Sequence, residues 1–160
     1  AYETIRVSQK YLTSYLPEER ACVEKIMGIK WGPFYFRKLL DEHPDCIVDY
    51  VRKRLADEAG GELAVFGAGR WGMDLYHILS EMGANPSLLV DNEKALWGQA
   101  REDIRISSPE VLRFFHGVVL IVAKGFSAEL LSQIDEMDNR KIVRVTWEEL
   151  VNDLKDHVFS

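Results

Sequence analysis

Gly67-Ala68-Gly69-Arg70-Trp71-Gly72, followed at the end of the next apolar run by Asp91 and Asn92, is the part of this chain best suited to holding an anion. Each glycine answers a separate steric demand. Gly67 permits a tight turn after a strand, Gly69 leaves room for a phosphate to approach the backbone, and Gly72 lets the following helix pack closely on the sheet. A helix starting near Arg70 would point its first N–H groups, and the positive end of its dipole, at that phosphate. Ala68, Arg70 and Trp71 complete the turn. Asp91 is placed to accept hydrogen bonds from ribose hydroxyls, with Asn92 beside it.

The pattern has force only if the right elements flank it. Leu63–Phe66 reads as a strand, Trp71–Met82 as its helix, Ser87–Val90 as a second strand and Ile104–Ile106 as a short third. Ser108-Pro109 is an N-cap with proline at the first helical position, opening a helix that runs to Phe115. The continuous run Val118–Ala123 is expected of a strand buried on both faces. Ser127 caps a helix running to Met137, Lys141–Val145 is a fifth strand, and Thr146-Trp147-Glu148-Glu149 is a capping box opening a final helix.

Strands alternating with helices imply an α/β fold, a doubly wound parallel sheet of about five strands in the order 3-2-1-4-5, with right-handed crossovers. The switch point then lies between the first and fourth strands, so the glycine turn should face the loop Ala123–Ser127. Lys124 could neutralise a phosphate there, and Ser127 could donate to it.

Residues 1 to 60 carry helical periodicity and almost no strand signal, and we expect a helical appendage there. It comprises Ile5, Leu12, Tyr15 and Leu16 on one segment, a helix start at Pro17, Phe34–Leu40, and Asp45–Ala59 with Ile47, Val48, Val51 and Leu55 on one face. Gly60-Gly61 would join it to the sheet domain of residues 61 to 160. The cluster Trp31, Phe34, Tyr35 and Phe36 is expected to pack a small core. An alanine at position 1 suggests a processed product or a domain cut from a larger protein.

Composition narrows the function classes. The 160 residues carry 20 basic and 26 acidic side chains, a formal charge of −6, which disfavours general nucleic-acid binding. No apolar run is long enough to cross a bilayer and no secretory cleavage pattern opens the chain, so a cytoplasmic location is expected. Cys22 and Cys46 are isolated and the four histidines scattered, so no metal site is expected. Tyr76 has Ser80 four residues on, where a reductase of the tyrosine-lysine type needs lysine, and no catalytic acid or base can be nominated. The spacing also predicts a local Asp74–His77 pair on the first helix.

Val65–Gly72, Leu89–Asn92 with Lys94 and Trp97-Gly98, Ile104–Leu112 and Val119–Ala123 together resemble one bacterial module. It is similar to the Rossmann-like nucleotide-binding domains attached to glycosyltransferases, sugar acyltransferases and methyltransferases of surface-polysaccharide biosynthesis. The resemblance spans about residues 62 to 150. It implies binding of a nucleotide-sugar or a nicotinamide dinucleotide, NAD(P) or an NDP-sugar, with Gly67, Gly69 and Gly72 at the phosphates and Asp91 and Asn92 near the ribose or base. Five strands make half of a full dinucleotide fold, so a homodimer would supply the second wall. Two other readings remain: a non-catalytic regulatory or interaction module that senses a dinucleotide, and a methyltransferase, for which the chain is short of strands.

Overall fold

The computed structural model describes residues 33–57, 62–123 and 127–159. The expected helices before Pro33, with Cys22 and Trp31, the Gly60-Gly61 joint, and Lys124 lie outside the described residues. The chain divides into two compact units, Ala1–Tyr50 with Glu148–Ser160, and Val51–Trp147.

In the second unit β1 (Glu62–Phe66), β2 (Leu88–Val90), β4 (Ile104–Ser107), β5 (Gly117–Ile121) and β6 (Ile142–Thr146) pair in parallel. A two-residue strand, β3 (Ala100–Arg101), runs antiparallel to β4, giving the order β3-β4-β2-β1-β5-β6. The five parallel strands stand in the expected order, and the fold is a Rossmann-like doubly wound α/β sheet. β3 is the addition. It covers one side of β4, which would otherwise end the sheet with unpaired backbone groups.

Each face of the sheet has its own cover. Ala64, Phe66, Val90, Val119 and Ile121 form one buried cluster with Leu112 and Phe115, and with Leu130 and Ile134 of the helix α4 (Ser127–Glu136). Alternation along the strands puts Leu63, Val65, Leu89, Val118 and Leu120, all buried, on the opposite face. The chain moves one way across the sheet after β1 and the other way after β5, so right-handed crossovers place α3 (Arg70–Glu81) opposite α4. The buried stripe of α3 is Leu75, Ile78 and Leu79, at the spacing of a single helix face.

The Ser108 cap is present: its hydroxyl accepts the Glu110 N–H at 3.3 Å, with Pro109 next. The element it opens, Pro109–Phe114, is 3₁₀ rather than α. Arg113 and Glu110, three apart, match that tighter spiral at 2.5 Å, and the guanidinium holds the Glu110 carboxyl below its ordinary range.

α3 is tied to the β3–β4 turn. The Tyr76 hydroxyl, on a side chain that is 4% exposed, donates to Asp103 at 2.6 Å. His77 lies 3.2 Å from Glu102, which replaces the expected Asp74 pair. Asp74 and His77 share a helix face, but the β3–β4 turn brings Glu102 to His77 instead, and that hairpin was not visible as a strand in the sequence.

In the first unit α1 (Pro33–Glu42) and α2 (Pro44–Val51) bury Phe36, Leu39 and Ile47, and α5 (Trp147–Phe159) buries Leu150, Val151 and Leu154; Val51 and Trp147, at the ends of α2 and α5, belong to the second unit. Tyr50 donates to Asp153 at 3.3 Å, and its ring stands 5.4 Å from that of His157. A π-helical stretch, Arg52–Asp57, follows α2 in sequence where the periodicity predicted a continuing α-helix.

Burial, with the Asp103 carboxylate facing it, pushes the Tyr76 hydroxyl up to about 12 from 10.0. The neutral phenol is the form the fold favours. Its contribution is therefore complete below pH ~10 and is lost as pH rises through ~12. In an absorbance titration of the tyrosines, Tyr76→Phe should remove the most alkaline step. It should also lower stability at neutral pH by about 1.5–3 kcal/mol, the worth of a hydrogen bond to a charged group.

Candidate functional site

The glycine turn sits where the crossovers reverse. Gly67 follows β1, its N–H donating to the Val90 carbonyl of β2 at 2.8 Å, while the Phe66 carbonyl accepts the Val122 N–H beyond β5 at 2.9 Å. The turn is thereby held to both neighbouring strands at their carboxyl ends, the edge at which such sheets take ligands.

The three glycines do three different things. At Gly67 φ is +125°, and a Cβ would stand 2.3 Å from the Val122 carbonyl oxygen. A Cβ on Gly72 would lie 1.6 Å from the Gly67 carbonyl oxygen, so α3 approaches the turn closely only because residue 72 has no side chain. Among the described residues a Cβ on Gly69 would meet nothing within 4 Å, and φ there is an ordinary −75°. Two glycines are thus required by the protein's own packing. Gly69, exposed at the N-cap of α3, fronts open space.

No side chain caps α3 at Gly69, so the first turn presents backbone toward that space. Arg70 is exposed there and Trp71 half-buried, its ring 6.3 Å from that of the buried Trp147. Trp71 therefore has a packing partner within the same unit.

Asp91 is bound to the turn directly. One carboxylate oxygen accepts the Ala68 N–H at 2.8 Å and the other accepts the Glu93 N–H at 2.8 Å. Trp97 closes the loop by donating its indole N–H to the Asp91 carbonyl at 2.7 Å. A carboxylate offers about four acceptor positions, so two engaged by backbone leave capacity for hydroxyls. Asn92 meets Gln133 of α4 in a reciprocal amide pair, 2.8 Å in each direction. Ser127 begins α4, its hydroxyl donating to the Ala123 carbonyl at 3.4 Å.

The geometry brings together Gly67, Ala68, Gly69, Arg70, Gly72, Asp91 and Asn92. Sequence reading missed the Trp97 clamp and Gln133. An indole six residues after the acid was a usable signal for the first; a glutamine on a distant helix gave none. Among the described residues no group of three or more His, Cys, Asp or Glu side chains could hold a metal ion. Nor is any helix among them long and apolar enough to cross a membrane.

No family model matches the chain, and no curated protein matches it. Among solved structures it is similar to the crystal structure of UDP-D-quinovosamine 4-dehydrogenase from Vibrio fischeri, at 17% identity and a TM-score of 0.46, over 58% of this chain and 84% of that one. The fold assignment rests on the strand order and register given above.

The unequal glycines give a direct check by urea denaturation. Gly72→Ala should cost about 3 kcal/mol or more, because the clash is with backbone that cannot rotate away. Gly69→Ala should cost no more than about 1 kcal/mol, the scale of an N-cap change. Equal losses would contradict the geometry.

Proposed function

We propose that the Val51–Trp147 unit holds a nucleotide, an NAD(P) or an NDP-sugar, with its phosphates over Gly69 and a ribose toward Asp91. The observation that carries this reading is the open space at Gly69, between two glycines whose absence of a side chain is already accounted for by internal contacts. A glycine with room for a Cβ and an ordinary φ has no steric reason within the protein to be glycine, and the N-cap preference that it meets is met as well by Ser, Thr, Asp or Asn. Close approach of a ligand supplies such a reason.

The chemistry of holding follows from the parts. Backbone N–H groups at the start of α3 and the positive end of its dipole would meet the phosphate charge, worth about 0.3–1 kcal/mol for the dipole at an exposed site. Asp91 stays engaged by Ala68 and Glu93 while its remaining lone pairs take ribose hydroxyls. A carboxylate at that position repels a 2′-phosphate, so NAD should bind better than NADP; Arg70 and Lys94 are the cations near enough in sequence to oppose this preference.

We place the domain in a protein of bacterial carbohydrate or surface-polysaccharide metabolism, in line with the sequence resemblance. Another domain or partner supplies the chemistry: the sequence nominates no catalytic acid or base, and Tyr76, a buried phenol of this unit, is committed to Asp103. A second copy of the chain would provide the wall that five parallel strands leave open. The ligand is a small molecule, and the acidic balance argues against nucleic acid.

A thermal-shift panel of NAD, NADP, UDP-sugars and coenzyme A tests the reading. A ligand present at a hundredfold its dissociation constant should stabilise the protein by about 2.7 kcal/mol. NAD should outperform NADP, and Gly69→Ala should abolish the shift while the protein stays folded. Absence of any shift at millimolar ligand would sink the proposal.

A further inference from the structure

The reciprocal pair between Asn92 and Gln133 joins the loop after β2 to the helix after β5. β1 lies between those two strands, so the pair ties together the elements on either side of β1, from whose carboxyl end the glycine turn begins. Both hydrogen bonds are exposed, and the pair adds nothing to the buried cluster beneath it. Each amide uses one donor and one acceptor on the other, in the cyclic pattern that a primary amide also makes with the edge of a nucleobase.

We propose that Asn92 and Gln133 read the base of the bound nucleotide by exchanging their mutual hydrogen bonds for its donor and acceptor edge. The inference rests on the nucleotide reading above. Asn92 directly follows Asp91, so a ribose held by that carboxylate carries its base to the loop's rim, beside the amide pair. A primary amide presents a donor and an acceptor side by side, and rotation about its last bond exchanges them. The pair can therefore meet an adenine amino group and ring nitrogen, or a uracil carbonyl and imide N–H. What it selects is a heterocycle with adjacent donor and acceptor, supplied by either a dinucleotide or a nucleotide-sugar.

The alternative is a latch that only ties the loop to α4, and the two differ in sign. A latch must open for the base to enter, so removing it would raise affinity or leave it unchanged. Removing a reading group lowers affinity.

Titration calorimetry with ADP, UDP and inorganic pyrophosphate separates these cases, using the wild type, Asn92→Ala and Gln133→Ala, each checked for wild-type circular dichroism. We expect each variant to lose about tenfold in affinity for whichever nucleoside diphosphate the wild type prefers, ~1.4 kcal/mol, with pyrophosphate affinity unchanged. The side-chain amide resonances of Asn92 and Gln133 should shift with that nucleotide and not with pyrophosphate. A preference for ADP points to a dinucleotide, and a preference for UDP to a nucleotide-sugar. Unchanged or tighter nucleoside diphosphate binding in Gln133→Ala overturns the inference while leaving the nucleotide reading intact. No binding of ADP or UDP by the wild type overturns both.

Discussion

Two backbone N–H groups converge on the Asp91 carboxylate, Ala68 from the glycine turn and Glu93 from the loop beyond β2. Hydrogen bonds to a charged acceptor are worth about 1.5–3 kcal/mol each. This clamp fixes the turn against the end of β2, and the Gly67 N–H bond to Val90 supports it from the strand itself. The residue proposed to contact a ribose is therefore also the residue that orders the glycine turn. Loss of Asp91 would cost position as well as contact.

Around that clamp the strands set the frame and the helix sets the direction. Gly72 lets α3 come so close to Gly67 that its first turn lies against the end of β1. Farther along the same helix, Tyr76 fastens α3 to the β3–β4 turn through Asp103. The neighbouring His77–Glu102 pair is largely solvent-exposed and worth at most about 1 kcal/mol. The aim of α3 thus depends mainly on a backbone contact at its start and a buried phenol midway along it.

Strand order, the turn role of Gly67, the packing role of Gly72 and the Ser108-Pro109 cap were legible because each is a local pattern with a steric or hydrogen-bonding cause. β3 was not: a two-residue strand leaves no alternation to detect. The 3₁₀ form of Pro109–Phe114 escaped for a related reason, since six residues hold too few turns to separate periods of 3.0 and 3.6. Asn92 and Gln133 lie 41 residues apart, and nothing in either neighbourhood marks them as partners. The amphipathic face of α5 predicts burial without naming what covers it. Compactness groups Glu148–Ser160 with residues 1–50, whereas the change of periodicity at the Gly60-Gly61 pair set the expected boundary there.

The central claim is that the backbone of the glycine turn receives phosphate. Amide chemical-shift mapping with a nucleoside diphosphate tests it most directly. The account predicts that the largest saturable changes fall on the amides of residues 68–72, with smaller ones at Asp91 and Asn92. A hollow lined by Glu62, Leu88, Val111, Phe114 and His116 lies at the opposite edge of the sheet, with Phe114 93% exposed beside it. Changes centred on that hollow, or none at the turn, would contradict the account.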